Sequence, residues 1–229
     1  MSHIHLPDGI LPVWLWLSGY LLTAVVMAIL WRGGRATDDP RRFALMGIFG
    51  AMMILVMMIE IPPFSFHFNL SVVTGILLGP ELSVLVALVV NLILSLLGHG
   101  GITVVGLNTL VLSTEMLAGY YVFRLLTRAR MGLSAAGFIA TFIGLALGTG
   151  AAYGIIVAGS PWIDHMLQTA AIVPGEELPP GVEGAHLNLV RLAVLMFGIG
   201  AVGYVFEGIL STAILRYIGK VYPELVTDM

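Results

Sequence analysis

The sequence predicts an all-α, polytopic transmembrane helical bundle of about seven spans, one of them short, with the amino terminus outside and the carboxyl terminus inside. Three observations predict it. Of 229 residues, 59% are hydrophobic and only 10% charged, against roughly a quarter charged in soluble domains, and the mean hydropathy is +1.01. The apolar residues gather in runs near the roughly 20 that a helix needs to cross the hydrocarbon core, not in the ten-residue alternation of an outer-membrane barrel. The Lys and Arg residues fall in clusters that sort the loops by side.

In chain order, apolar length predicts spans at 10–32, 42–61, 81–98, 104–126, 134–159 and 189–217, with a weaker candidate, "FSFHFNLSVVTGILLGP", at 64–80. Charge decides whether the weaker segment crosses. Arg32, Arg35, Arg41 and Arg42 fill one loop, Arg124, Arg128 and Arg130 a second, and Arg216 and Lys220 follow the last span. Six spans would put the first two clusters on opposite sides. Seven put both inside, together with the tail, so 64–80 is predicted to be a short crossing surrounded by protein. Nine of the ten basic residues are then inside, with Arg191 the exception, whereas His3, His5, His67, His99, His165 and His186 are all at or near the outer face. The outer loop at 160–188 carries Asp164, Glu176, Glu177 and Glu183 and no basic residue; it attracts cations and also obeys the inside rule. Small residues in 137–154 let helix backbones approach closely in lipid. The short inner loop at 127–133 leaves no room for a soluble catalytic domain. The chain reads as one domain, 1–229, with an extracytoplasmic segment at 1–9.

Several chemistries are excluded. There is no cysteine, so thiolate metal sites, thiol nucleophiles and disulfides are out. The net charge of −3 is ordinary, and the absence of a basic run points away from nucleic acid; membrane lipid is the partner that the apolar spans imply. The amino terminus lacks the positive region and cleavage site of a signal peptide and is expected to persist. No phosphate loop, H-E-x-x-H or G-x-S-x-G pattern is present, so the chain is not expected to be an enzyme or to hydrolyse ATP by itself. It binds or passes something.

Histidine, carboxylate and backbone must carry that task. A free amine, the next amide nitrogen and a nearby imidazole form fused chelate rings around an ion that favours nitrogens in a plane, as Ni(II) and Cu(II) do. "Met-Ser-His" offers this from Met1, and "Ser-His" offers it from Ser2 with His3 if Met1 is removed; a histidine-bearing frayed terminus is the bland alternative. His67, in "PPFSFHFNL", is near the outer end of a span, where a polar side chain is usually functional; a hydrogen bond to a carbonyl freed by Pro62-Pro63 would also account for it. The Pro7-Asp8-Gly9 turn can fold the terminus back toward His67. In the glycine-rich break "GHGGITVVGLN", His99 is a candidate ligand, a residue behind a ligand or an access-path residue, and a plain interfacial histidine is an equal reading. Asn108 is a candidate to orient a ligating imidazole. Glu115 and Glu207 lie within spans, where polar groups pair inside the bundle; Glu207 is read first as structural, and Glu115 is open between structure and coupling.

These residues carry a resemblance to the membrane-embedded substrate-capture component of cobalt and nickel energy-coupling-factor (ECF) transporters, the CbiM/NikM type, over nearly the whole chain. The family's opening Met-His-Ile-Pro-(Asp/Glu)-Gly is similar to "IHLPDG" at 4–9. Its histidine followed twelve residues later by Gly-Pro resembles His67 before Gly79-Pro80. Its Gly-Asp-Gly-Gly-Ile segment is similar to "GHGGI" with Gly106 and Asn108 downstream, and its last-span glutamate to Glu207 in "GYVFEGILST".

The resemblance implies a divalent ion, Ni(II) or Co(II), held by amino-terminal nitrogens and His67, with no catalytic cofactor. Two arrangements follow. Ser2 supplies the amine and His3 the amide and imidazole after loss of Met1, with His5 a neighbour or extra ligand; or His5 stands beside His67 and His3 joins it in a histidine-rich site without the terminal amine. The first is preferred for its chelate chemistry. His99 where the family has Asp is a departure. The resemblance further implies a multi-pass protein of the cell membrane that works with a transmembrane coupling subunit, ATPase subunits and a small auxiliary membrane subunit. Glu81 and the Arg clusters are its candidate docking points. An intramembrane metal sensor or metalloenzyme, and a structural membrane scaffold, are the alternatives.

Overall fold

The computed structural model describes residues 5–32, 40–59, 67–170 and 187–223, and among them there are six α-helices and no strand. Helix α1 spans Val13–Trp31, α2 Pro40–Met58, α3 Ser71–Leu96, α4 Val105–Arg128, α5 Leu133–Ala170 and α6 Leu189–Val221. Five are long and apolar enough to cross a membrane. The exception is α4, 24 residues long, which carries Glu115, Arg124 and Arg128. The chain is thus a multi-pass membrane protein. Its outward faces carry Leu17, Leu21, Leu55, Leu125, Val190 and Phe206 to the surroundings, as lipid-facing helices require.

The expected segments at 64–80 and 81–98 meet at Gly79-Pro80, where α3 is two helical arms joined at a kink. Within α3, Gly79 has φ 78 and ψ 173, outside helical values, and Pro80 follows it. Pro80 has no amide hydrogen and Gly79 tolerates the positive φ, so the pair breaks the helix. A straight helix of 26 residues would separate its ends by about 39 Å. Instead His67, ahead of the helix, and His99, after it, have ring centroids 5.5 Å apart. α3 therefore folds back on itself at Gly79, with a short arm at 71–78 and a long arm at 80–96. The short arm rises about 12 Å and the long arm about 25 Å. Four non-helical residues, 67–70, make up the difference at about 3.3 Å each. The short arm is buried throughout, Val72 and Ile76 completely.

Around this fold-back the core assembles from Met53 and Met57 of α2, Val72, Ile76, Leu82, Val86 and Leu94 of α3, Leu112 and Met116 of α4, and Leu215 of α6. Gly75 lies against the Met116 backbone and Gly119 against Val72, so the short arm rests directly on α4. Gly144 and Gly148 bring α5 equally close to Glu115, the close approach expected of the small residues at 137–154. α5 runs eleven residues beyond its expected end, through Pro161. Proline removes the amide that would bond the Val157 carbonyl; Ser160 Oγ donates to that carbonyl at 2.8 Å instead, and the helix continues.

Candidate metal centre

The centre is built from three stretches far apart in sequence. The first is the segment at 5–12. Its turn at Asp8-Gly9 uses a positive φ of 82° at Gly9, a conformation that glycine adopts without penalty. Asp8 then reaches the start of α4: its carboxylate accepts from Ile102 N and Thr103 N, each at 2.8 Å, and from the Thr103 hydroxyl. Ile102 and Thr103 precede Val104, the N-cap residue of α4, so Asp8 braces the turn that leads into the helix. The Thr103 hydroxyl bond, aided by the two backbone bonds, holds its carboxyl below the usual carboxylate range against a small desolvation cost. Gly101 N donates to Leu6 O at 3.1 Å. Leu6, Leu11 and Leu15 pack on Val104 and Leu107 beneath.

The second stretch carries His67, which is 5% exposed. Two residues on, Asn69 anchors the chain between two buried carboxylates. Asn69 Nδ2 donates to Glu115 Oε2 at 2.7 Å, and Ser71 Oγ donates to the same oxygen at 2.7 Å. The Asn69 and Leu70 amides donate to Glu207 Oε1, at 3.3 and 2.9 Å. Asn69 Oδ1 in turn accepts from Ser71 N at 2.8 Å. Asn69, Glu115 and Glu207 have no exposed surface. Buried carboxylates are tolerated when hydrogen-bonded in this way, and both stand at the amino-terminal end of the short arm, where the helix dipole favours negative charge. Leu70, at φ 55, is held in a left-handed conformation that non-glycine residues seldom adopt.

The third stretch is the loop after the long arm. Gly98 N donates to Ser95 O at 3.1 Å and His99 N to Leu94 O at 2.8 Å, with Gly98 at φ 82. This is a Schellman ending, with glycine in the left-handed position. It turns the chain so that His99 follows immediately on the helix terminus.

The three imidazoles meet. Ring centroids lie 6.0 Å apart for His5 and His67, 5.2 Å for His5 and His99, and 5.5 Å for His67 and His99. The first pair is stacked at 26°, and His99 is edge-on to both at 80°. One nitrogen from each ring lies within 4.8 Å of the others. Asn108 is beside them, and its amide grips the residue after His5: Leu6 N donates to Oδ1 at 2.9 Å, and Nδ2 donates to Leu6 O at 3.1 Å. It acts on the backbone behind the imidazole, not on a ring nitrogen. Met1, Ser2, His3 and His186 lie outside the described residues. His165 is elsewhere, stacked on Trp162 at 6.2 Å. Sequence reasoning passed over Asn69 and Ser71, although "HFNLS" ahead of an apolar run is a helix-start pattern.

The family described as cobalt uptake substrate-specific transmembrane region, CbiM, matches residues 5–225. The chain belongs to the CbiM family. It is thus a membrane protein of a cobalt-uptake family. Relatives include a putative fused nickel transport protein NikMN of Archaeoglobus fulgidus, 29% identical over 97% of this chain and 68% of that one. The cobalt transport protein CbiM of Geobacter sulfurreducens is 31% identical over 80% of this chain and 56% of its own length. A crystal structure of a transition metal transporter superposes with a TM-score of 0.71 at 20% identity, over 95% of this chain and 93% of the other; at that identity the likeness shows the fold.

Proposed function

We propose that the chain is the non-catalytic, substrate-specific component of an ECF-type importer, taking Co(II) or Ni(II) from the outer face for ATP-driven uptake. The observation that carries this reading is the convergence of His5, His67 and His99, from three separate stretches, with a ligand nitrogen from each within 4.8 Å of the others. Neutral imidazoles suit divalent first-row metals. Of the two arrangements open in the sequence, the stacking of His5 on His67 supports the one in which His5, not His3, is the partner of His67. The fold-back of α3 supports seven crossings, since its two arms count separately. Arg128, Arg130, Arg216 and Lys220 lie at or just past the carboxyl-terminal ends of α4 and α6, remote from the histidines, which by the inside rule supports an outward-facing cluster.

No ATPase motif is present in the sequence, so the energy must come from partner subunits: a transmembrane coupling protein, an ATPase pair and a small auxiliary membrane component. The fused NikMN relative, of which this chain spans 68%, supports a further component working beside it. Titrating the purified protein with Co(II) and Ni(II) by calorimetry tests the reading. One ion per chain is expected, with loss of binding in His67→Ala. Unchanged stoichiometry and affinity in that variant would falsify it.

A further inference from the structure

The end of the bundle remote from the histidines holds a second polar feature. A cavity of about 490 Å³ opens between the start of α5 and the end of α6, lined by Leu133, Ser134, Arg216, Tyr217, Gly219 and Lys220. That volume falls in the range of small-ligand sites, roughly 300–1,000 Å³. The two helices are held together beside it: Leu215 packs on Gly137, where a Cβ would not fit, and Thr212 Oγ1 donates to the Ser134 carbonyl at 3.4 Å. Arg216 and Lys220 are four positions apart and so share one face of α6, where like charges repel. The described residues that line the cavity include no Asp or Glu. The helix dipole favours a cation in the last turn of α6, where Lys220 stands, but its effect fades before Arg216. Opposite, α5 starts without an acidic residue in its first turn. Gly132, whose carbonyl accepts from Ala136 N at 3.0 Å, has no side chain to cap it, so the first amides of α5 add partial positive charge. Both walls favour an anion.

The turn that leads into α5 supplies a further charge. Arg130 N donates to Thr127 O and Met131 N to Leu126 O, each at 3.0 Å, a Schellman ending in which Arg130, at φ 61, takes the left-handed place that usually belongs to glycine. A strained backbone of this kind is a pointer to function. Tyr217, in the lining, and Tyr222 are exposed, and tyrosine, apolar in body and polar at its tip, belongs at the headgroup level of a bilayer. At that depth the abundant anion is the phosphate of a lipid. We propose that the α5–α6 cavity binds the headgroup of one anionic phospholipid of the inner leaflet, its phosphate held by Arg216 and Lys220 against the first amides of α5. Basic pockets between spans on the inner side suit such headgroups, and charge-assisted hydrogen bonds to phosphate are strong. The bound phosphate offsets the repulsion between Arg216 and Lys220 and ties the start of α5 to the end of α6. The inference goes beyond metal capture and shares with that reading only its orientation.

Native mass spectrometry and thermal scans of the purified full chain test this, with phosphatidylglycerol and phosphatidylcholine of the same acyl chains as probes. Wild type should retain one phosphatidylglycerol per chain at least about tenfold more strongly than phosphatidylcholine, the weight of one to two basic side chains beside an anionic headgroup. Phosphatidylglycerol should raise its apparent Tm, and phosphatidylcholine should not. Both effects should disappear in Arg216→Ala/Lys220→Ala and persist in Arg41→Ala/Arg42→Ala, which removes the same charge from the start of α2. Equal retention of the two lipids by wild type would overturn the proposal, as would equal loss in the two double variants, the mark of a diffuse basic surface. A rise in Tm with glycerol 3-phosphate alone, matching that with the lipid, would assign the cavity to a soluble anion instead. Unchanged lipid retention in Arg216→Ala/Lys220→Ala, with loss of co-purifying partner subunits, would assign it to a protein and overturn the proposal as well. Co(II) titration of that variant should match wild type, which shows that it is folded. Failure of every preparation to bind Co(II) or Ni(II) would overturn the metal-capture reading and leave the lipid result standing.

Discussion

Asn108 holds Leu6 by both of its backbone groups, accepting from the amide at 2.9 Å and donating to the carbonyl at 3.1 Å. The two residues are 102 positions apart, yet the pair behaves like a rung of β-sheet, with a side-chain amide replacing one strand. It fixes the backbone one residue beyond His5 to the first turn of α4, and so fixes the direction from which His5 meets His67 and His99. Asn108→Ala removes both bonds. Metal affinity should fall by about 10–100-fold, the usual cost of losing a residue behind a ligand, while apparent Tm moves by only a few degrees. Calorimetry with Co(II) alongside a thermal scan checks this, and an unaltered affinity would show that His5 is placed without Asn108.

Asp8 works one step further out. Its carboxylate must be ionised to accept all three bonds from Ile102 and Thr103, and its pKa is lowered in the folded chain, chiefly by the Thr103 hydroxyl. For a carboxyl with a depressed folded pKa, the stabilisation is fully present above the unfolded value of about 3.9 and disappears as pH falls through the lower folded value. Wild type and Asp8→Ala should therefore differ in apparent Tm by a few degrees at pH 6 to 7 and converge on acidification below about pH 3. Because Asp8 is exposed, the difference should stay small. A difference that persists unchanged in acid would mean that the carboxylate is not its source.

Much of this arrangement was legible in the sequence, and the parts that were not share a cause. Apolar length located α1, α4 and α6 to within a few residues of their ends, because a membrane rewards uninterrupted apolar helix and little else. The Gly98-His99-Gly100 break was visible as a break, since only glycine takes its backbone angles freely. The division at Gly79-Pro80 was visible too, since the expected segments at 64–80 and 81–98 part there; that the first becomes helical only at Ser71 was not, because the start of that segment is held by Glu115 and Glu207, far away in sequence. Nor was the extension of α5, because Pro161 reads as a stop unless Ser160 is known to cover the freed carbonyl. The importance of Asn69 was hidden more deeply: its acceptors, Glu115 and Glu207, lie 46 and 138 residues away.

Those two glutamates are expected to differ from ordinary buried acids in what their loss disturbs. Glu207→Ala leaves the Asn69 and Leu70 amides without an acceptor, at a cost of about 1–3 kcal/mol for each buried donor. Part of that cost can be escaped by letting the 67–70 segment move, and moving it displaces His67. Glu207→Ala should thus lower both apparent Tm and metal affinity, although the nearest described path from Glu207 to His67 runs through the backbone. Glu207→Gln retains an acceptor oxygen and should keep most of both. The comparison of the two variants, each measured by thermal scan and calorimetry, decides the role; equal losses would point to the charge itself, not to the acceptor.

Gly148 makes the buried Glu115 possible. A Cβ at this position would overlap Glu115 Cγ and stand 2.6 Å from Oε1, closer than nonbonded atoms tolerate. Gly148→Ala must therefore push α5 away from α4 or push the carboxylate off Asn69 and Ser71. Helix backbones packed against each other yield less readily than a side chain, so the carboxylate should move, and the cost should be about 1–3 kcal/mol from overpacking plus the weakening of two hydrogen bonds. A double-mutant cycle with Glu115→Ala isolates this contact. Once Glu115 is truncated the added methyl has room, so the Gly148→Ala penalty should largely vanish in the Glu115→Ala background. If the two penalties simply add, α5 has shifted instead, and the damage should then appear along the whole α4–α5 seam, including at Gly144 against the Glu115 carbonyl.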